Sequence, residues 1–226
     1  MRLLSNSAAT PTTRAIRVAL DGASFPYAAG QAASVGIDEQ HLTPYSIASA
    51  PRDTAEHGFL EFLVKVDGST RFGSVVTDLQ AGAPLVVTGA TGRFVLPSGD
   101  VKNRLLFIAG GTGIAPVRSM IREYLHRLHR LRPALVYSAR TPEEFAYAEE
   151  FRALADKGKV DLTLTLTGDA KDWRHARGRT GDRHLAELAT PRTLCFVCGP
   201  PSMVTDVPQA LMRLGIPRTQ IVTEDW

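Results

Sequence analysis

The chain has 226 residues, of which 44% are hydrophobic and 22% charged, so we expect a packed protein rather than a disordered one. This length suits one large domain or two small ones. The 26 basic and 23 acidic residues leave a formal charge of +3, too small to favour a nucleic-acid partner. No apolar run approaches the roughly 20 residues of a membrane span, and residues 1–14 have no apolar core long enough for a secretory signal. We therefore expect a cytoplasmic protein with no membrane and no nucleic-acid partner.

Short strand patterns separated by glycine and proline turns fill residues 1–100. They predict a short helix over 72–79 and strands at 13–20, 31–36, 44–49, 58–66 and 83–89. In the run GFLEFLVKV, one face carries Leu60, Phe62 and Val64. The other face carries Glu61, Leu63 and Lys65, which predicts a strand with one buried side. Strands at this spacing are typical of a small barrel or sandwich.

From about residue 100 the pattern changes to alternating strands and helices. The strands are predicted at 104–109, 133–138, 160–166, 193–198 and 219–224, and the helices at 114–130, 143–155, 181–189 and 200–214. A polar stretch occupies 168–180. This alternation indicates an open parallel sheet covered by helices. The predicted boundary lies at 98–103, which gives domains of residues 1–100 and 101–226.

A glycine turn joins the strand at 104–109 to the helix at 114–130. It contains Gly110, Gly111, Thr112 and Gly113, and Pro116 lies in the first helical turn, where a missing N–H costs nothing. Free backbone N–H groups and the helix dipole favour an anion such as a pyrophosphate there. Pro116 occupies the third glycine position of the usual dinucleotide fingerprint. A turn that only lets the helix pack against its strand is therefore the alternative.

Three segments follow the carboxyl ends of predicted parallel strands, where ligands bind in such sheets. They are 110–116, 137–140 and 198–201. In the second segment, Ser138 and Arg140 stand where NAD-binding folds have an acidic residue, which favours the 2′-phosphate of NADPH. The alternative is that Arg140 pairs with Glu143 or Glu144 at the start of the next helix.

The cysteines and histidines offer little support for a metal site. Cys195 and Cys198 are spaced C-x-x-C, but period two turns them to opposite faces of a strand and no second such pair exists. We expect neither a disulfide nor a metal. His126 and His129 lie three residues apart on a helix face among arginines, where we expect exposure rather than metal binding.

Three runs in this order resemble the ferredoxin–NADP reductase superfamily: PYSIASAP at 44–51, GGTGIAP at 110–116 and CGPPSM at 198–203. Residues 137–151 and the GRT run at 178–180 are also similar to that family. The resemblance implies an all-β flavin-binding barrel followed by an α/β parallel-sheet domain that binds NAD(P)H. FAD is favoured over FMN as the cofactor.

The resemblance places Tyr45 against the isoalloxazine ring and Ser46 near flavin N5. The alternative is a half-buried strand tyrosine and a satisfied strand hydroxyl. The other residues that the resemblance assigns to the flavin are Pro44, Ile47, Ala48, Ser49, Lys65, Val66, Gly73 and Ser74. Thr43 departs from the family, which normally has an arginine there that pairs with the flavin phosphates. Arg71 and Arg93 are candidates to replace it.

The resemblance assigns most of the remaining residues to the nicotinamide nucleotide, and residues of the last strand to the flavin site. Cys198 lies beside the nicotinamide ring, although a buried cysteine is also a common small hydrophobe. Glu224 or Trp226 in the last strand would touch the flavin site, the alternative being a frayed tail. The expected catalytic residues are thus Ser46, Cys198 and Glu224. The other nucleotide contacts are Gly111, Thr112, Gly113, Pro116, Ser138, Arg140, Tyr147, Gly199 and Pro200.

The expected activity is transfer of a hydride from NAD(P)H, with NADPH favoured, to FAD. Electrons then pass to a separate acceptor such as a small ferredoxin, because the chain has no cysteine cluster for an iron–sulfur centre. One alternative is an NAD(P)H:flavin reductase that releases reduced flavin, which Thr43 makes more plausible. Another is a flavin-binding subunit without turnover of its own. The oligomeric state stays open.

Overall fold

The computed structural model describes residues 1–99, 101–127 and 131–225. The chain divides into two compact units. The first unit comprises Met1–Leu96 and Arg118–Arg127, and the second comprises Pro97–Val117 and Leu128–Trp226. Within the described ranges, no helix combines the length and the apolar character needed to cross a membrane.

The first unit is built from antiparallel strands. They are β1 (Arg2–Thr10), β2 (Thr13–Ala19), β3 (Ala32–Gly36), β4 (Thr43–Ser46), β5 (Phe59–Lys65) and β6 (Val86–Val87), with helices α1 (Pro51–His57) and α2 (Arg71–Val75). The strands form two three-stranded sheets, ordered β1-β2-β5 and β4-β3-β6. A bridge between Ile47 and Phe62 links the two sheets. The barrel-like antiparallel fold predicted for this part is confirmed.

Two elements of the first unit were not predicted, and each has a local reason. Strand β1 pairs with β2, but register shifts interrupt the pairing between Leu3 and Ser5 and between Ala8 and Thr10. Such bulges remove the period-two pattern on which strand prediction depends. Helix α1 follows the strand predicted at 44–49 and begins at Pro51, whose missing N–H costs nothing in the first helical turn.

Strand β5 differs from its predicted one-sided burial. Glu61 and Leu63 are each only 3% exposed, so the face expected to be solvated is covered. The Glu61 carboxylate binds Arg17 Nε at 2.8 Å and Arg118 Nη1 at 3.1 Å. In the sequence, a glutamate that is buried with two cationic partners cannot be distinguished from a glutamate that faces water. Alternation therefore could not reveal that this face is covered.

The second unit contains the predicted parallel sheet. Its strands are β7 (Leu105–Gly110), β8 (Ala134–Ala139), β9 (Asp161–Leu166), β10 (Ala176–Arg177), β11 (Leu194–Gly199) and β12 (Ile221–Asp225). Its helices are α3 (Ile114–His126), of which residues 118–126 belong to the first unit, α4 (Ala148–Asp156), α5 (Asp182–Leu185) and α6 (Pro201–Arg213). All six strands are parallel, in the order β10-β9-β8-β7-β11-β12. The α/β class is thereby confirmed.

Several predicted boundaries in this unit were wrong. The helix expected at 143–155 begins only at Ala148. Tyr147, with a left-handed φ of 59°, separates this helix from a short 3₁₀ turn at Pro142–Glu144. The helix expected at 181–189 ends at Leu185, and the polar stretch 168–180 contains β10. Strands β7 and β8 are buried along their whole length, which explains why their apolar runs were recognised.

Candidate functional site

The central strands of the parallel sheet bring the three predicted nucleotide segments together. Strand β7 lies between β8 and β11, with Gly110 paired to Ser138 and Ala109 paired to Cys198. The three strands are parallel, so their carboxyl ends lie at one edge of the sheet. The glycine turn, the Ser138–Arg140 segment and the Cys198–Pro200 segment all begin there. This is the edge at which parallel α/β sheets bind ligands.

Gly113 and Gly111 have different roles in the glycine turn. A Cβ on Gly113 would lie 2.3 Å from the carbonyl oxygen of Cys198, so the turn packs directly on the end of β11. Gly111 has a left-handed φ of +55°, and a Cβ there would meet no atom within 4 Å. The Tyr137 hydroxyl donates to the Gly111 carbonyl at 3.2 Å and anchors the turn. The turn is therefore fixed on its inner side and open at Gly111, which fits a dinucleotide approaching the backbone.

The segment after β8 carries the predicted 2′-phosphate residues. Ser138 is buried and Arg140 is exposed. Among the residues that the structure describes, Arg140 makes no ion pair with Glu143 or Glu144. The Thr141 side chain instead hydrogen-bonds the Glu143 carboxylate and lowers its pKa. The Arg140 guanidinium therefore keeps its charge available for an anion.

Aromatic residues that the sequence analysis did not select lie beside this segment. Phe145 packs edge-on against Tyr137, with ring centroids 5.0 Å apart. Trp173 stacks on Phe145 at 5.5 Å with an interplanar angle of 16°. These residues come from separate parts of the chain, and no sequence pattern connects them. Tyr147, which we had selected, is the left-handed residue that precedes α4.

The two cysteines of β11 have different surroundings. Cys198 is fully buried and lies between Ala109 of β7 and Glu224 of β12 in the sheet register, so two predicted catalytic residues are direct neighbours. Cys195 belongs to the hydrophobic core, where burial raises the pKa of its thiol to about 12. Neither cysteine forms a disulfide with another described residue. Trp226 lies outside the described residues.

The predicted flavin segments converge within the first unit. The Tyr45 hydroxyl lies 2.7 Å from Thr70 Oγ1, which accepts the Gly73 N–H at 2.9 Å. The Tyr45 ring packs 5.8 Å from that of Phe72, and burial raises the pKa of the phenol. A Cβ on Gly73 would lie 2.5 Å from the Lys65 carbonyl oxygen, so α2 packs on the end of β5. Residues from β4, β5 and α2 thus form one cluster.

The residues after Tyr45 differ in what they offer a ligand. Ser46 is 7% exposed, and no described residue hydrogen-bonds its hydroxyl. This hydroxyl is therefore available to hydrogen-bond a ligand. Ile47 and Ala48 are fully buried, and the Ser49 hydroxyl accepts the Glu61 N–H at 3.1 Å. The side chains of residues 47–49 are therefore not available to a ligand.

The side chains that hold this segment in place were not predicted from the sequence. Arg118 Nη1 donates to the Ala48 carbonyl at 2.9 Å, and the Ser119 hydroxyl donates to the Ser49 carbonyl at 2.7 Å. His126, which we expected to be exposed, lies 2.9 Å from Asp53 Oδ1. His129 lies outside the described residues. Across the described residues, no group of three or more His, Cys, Asp or Glu side chains could hold a metal ion.

The chain is similar in sequence to known oxidoreductases. The family model for the oxidoreductase NAD-binding domain matches residues 107–209. Ferredoxin–NADP reductase B of Sorangium cellulosum is 30% identical over 230 residues, covering 91% of this chain and 88% of that protein. One subunit of the Na⁺-translocating NADH-quinone reductase of Marinomonas sp. strain MWYL1 is 27% identical over 208 residues. That match covers 84% of this chain, which spans only 50% of the relative.

A solved structure shows that the fold extends over the whole chain. It is a ferredoxin NADP⁺ reductase from Neisseria gonorrhoeae with bound FAD and NADP. Its TM-score to this chain is 0.84 at 24% sequence identity, and the match covers 99% of this chain and 96% of that one. At this level of sequence identity, the similarity shows a shared fold.

Proposed function

Because the chain belongs to the ferredoxin–NADP reductase family, we propose that it is a flavoprotein reductase that takes reducing equivalents from NAD(P)H and delivers them to a separate acceptor. It is an oxidoreductase of this family, with FAD as cofactor and NAD(P)H as substrate. Residues 1–100 form the FAD-binding domain, and residues 101–226 form the NAD(P)H-binding domain. NADPH is the preferred donor and a small ferredoxin is the acceptor.

The hydrogen-bond chain from Tyr45 through Thr70 to Gly73 is the observation that carries the proposal. It joins two segments that the resemblance had assigned to the flavin. The predicted Lys65 segment lies against the same glycine. Next to this half-buried tyrosine lies Ser46, whose hydroxyl has no hydrogen-bond partner among the described residues.

Each part of the chain has a separate task in this reaction. A bound flavin supplies the redox chemistry, because it accepts a hydride from reduced nicotinamide and can release electrons one at a time. Tyr45 presents an aromatic surface, and the Ser46 hydroxyl offers a hydrogen bond. The backbone at Gly111–Gly113 binds the pyrophosphate of the nicotinamide nucleotide, and Cys198 lies beside its ring. Glu224 is the neighbour of Cys198 on the next strand.

The choice of NADPH rests on Arg140. Among the described residues, no carboxylate pairs with the Arg140 guanidinium. Such a planar cation binds a 2′-phosphate well, whereas the ribose hydroxyl of NADH needs an acidic residue. Ser138 adds a hydroxyl from the preceding strand position. A separate ferredoxin as acceptor is supported by the name of the Sorangium relative. The sodium-translocating relatives are about twice as long as this chain, so their activity is not carried over.

A second candidate is an NAD(P)H:flavin reductase that releases reduced flavin. Thr43 favours it, because a threonine hydroxyl binds phosphate less strongly than a charged guanidinium does. Flavin that is held weakly behaves as a substrate rather than as a prosthetic group.

The visible spectrum of the purified protein, before and after anaerobic addition of NADPH, tests both candidates. A bound flavin spectrum that bleaches supports the reductase with a prosthetic flavin. A colourless protein that oxidises NADPH only when free flavin is added supports the flavin reductase. A colourless protein that stays inert with added FAD and FMN contradicts both.

A further inference from the structure

The cations near the proposed flavin cluster differ in how far they are already neutralised. The Lys65 ammonium pairs with the Asp67 carboxylate at 2.5 Å, and Arg17 pairs with Glu61 at 2.8 Å. Arg71 has a different kind of partner, because its Nη1 lies 3.1 Å from Nε2 of His41. A hydrogen bond to a neutral ring nitrogen orients the guanidinium but does not neutralise its charge. Arg71 is therefore an oriented cation that can still bind an anion.

The chemistry of arginine fixes the direction of these hydrogen bonds. A guanidinium only donates, so His41 Nε2 is the acceptor and carries no proton. The proton of the neutral ring is then on Nδ1, which donates to Asp38 Oδ1 at 2.8 Å. The same carboxylate oxygen accepts the Gln40 N–H at 3.0 Å. Asp38 thus orients His41, and His41 orients Arg71.

Arg71 lies at the right place to reach a ligand of the flavin cluster. Its neighbour Thr70 bonds to Tyr45, and Gly73 packs on the Lys65 carbonyl. His41 lies just before β4, at the end where Thr43 pairs with Val35. The Asp38–His41–Arg71 chain therefore joins the start of β4 to the start of α2.

Arg93 lies near the opposite end of the same strand. Ala32 pairs with Ser46 on one side and with Thr91 on the other, and Arg93 follows Thr91 by two residues. A four-residue strand is roughly 10 Å long. Of the two arginines that could replace the missing charge at Thr43, only Arg71 is held at the Thr43 end.

We propose that Arg71 binds the phosphate groups of the flavin, and that His41 and Asp38 are positioning residues for its guanidinium. This inference rests on the proposed function. It assigns the phosphate-binding charge to an arginine from α2 instead of one from β4, and it makes tight flavin binding possible despite Thr43.

Titration of the full-length, flavin-free protein with FAD, FMN and riboflavin tests the assignment, because riboflavin has no phosphate. We expect Arg71→Gln to weaken FAD and FMN binding by about 10- to 100-fold, the usual contribution of a charge-assisted phosphate contact. Riboflavin affinity should stay within about twofold of the wild type, which also shows that the variant is folded. Arg93→Gln is the matched control and should leave the affinity for all three flavins unchanged.

Two variants of His41 test its role in positioning Arg71. His41→Leu removes the acceptor and should weaken FAD binding several-fold without changing riboflavin affinity. His41→Gln keeps an acceptor oxygen and should retain most of the affinity. Equal losses in the two variants would contradict the role of the His41 acceptor.

The possible failures are distinguishable. If Arg71→Gln binds FAD as tightly as the wild type does, or loses riboflavin affinity equally, Arg71 is not the phosphate ligand while flavin binding stands. If the loss appears in Arg93→Gln instead, the charge is assigned to the wrong arginine. If the wild type binds none of the three flavins, the proposed function fails and this inference fails with it.

Discussion

Replacing Asp53 with asparagine should destabilise the protein in a strongly pH-dependent manner. The Asp53 side chain is only 7% exposed. It accepts hydrogen bonds from Arg122 Nε at 2.5 Å, from His126 Nε2 at 2.9 Å and from the Ala50 N–H at 3.2 Å. Asparagine keeps the shape of the side chain but loses the negative charge, and it turns one acceptor into a donor that faces other donors.

The magnitude follows from the pKa of the carboxyl. Burial raises the pKa of Asp53, but the hydrogen bonds from Arg122 and His126 outweigh it and lower the pKa from 3.8 to about 2. The difference of about 1.8 pKa units corresponds to about 2.4 kcal/mol at 1.36 kcal/mol per unit. The side chains of Arg122 and His126 are 30% and 34% exposed, so solvent screens the pair. We therefore expect about 1–2 kcal/mol from the charge.

Urea unfolding of both proteins between pH 7 and pH 2 measures this contribution. A lowered pKa in the folded state stabilises the protein fully above the unfolded-state pKa of 3.8, and this stability is lost as the pH falls through about 2. The difference between wild type and variant should therefore shrink below about pH 5. Asp78→Asn, at an exposed position, is the control and should have little effect. A difference that stays constant with pH would refute the reasoning.

Three further outcomes are expected. Gly113→Ala should cost about 1–3 kcal/mol of stability and raise the KM for NADPH, because its Cβ would lie 2.3 Å from the Cys198 carbonyl. Gly89→Ala, where a Cβ meets nothing within 4 Å, should change neither. Arg140→Ala should lower the NADPH/NADH preference ratio of kcat/KM by about tenfold or more, and an unchanged ratio would remove Arg140 from the 2′-phosphate site. Cys195, with a pKa raised to about 12 by burial, should react with a maleimide at pH 8 only after unfolding, so rapid labelling at Cys195, located by peptide mass spectrometry of the native protein, would contradict its core position.

Local patterns were enough to predict the architecture of the second unit. A buried parallel strand needs apolar residues on both faces, so β7 and β8 stand out as continuous apolar runs. The turn between β7 and α3 was recognisable because Gly111 adopts a left-handed φ and Gly113 has no space for a side chain. Such requirements act on residues close in sequence. The order of strands, turns and helices, and with it the edge at which the nucleotide segments meet, followed from the sequence.

The sequence could not show which distant side chains satisfy a buried charge. Glu61 looked like a solvent-facing residue of β5 until the structure brought Arg17 and Arg118 to it. Asp53 and His126 are 73 positions apart, and neither residue carries a local sign of the other.

The same limit applies to the proposed flavin cluster. Sequence motifs selected Tyr45 and Gly73 separately, but only the packing of α2 on β5 placed Thr70 between them. The bond between Arg71 and His41 likewise joins residues 30 positions apart. Secondary structure follows from the periodicity of neighbouring residues, whereas the partner of a buried or oriented charge depends on which surfaces the folded chain brings together.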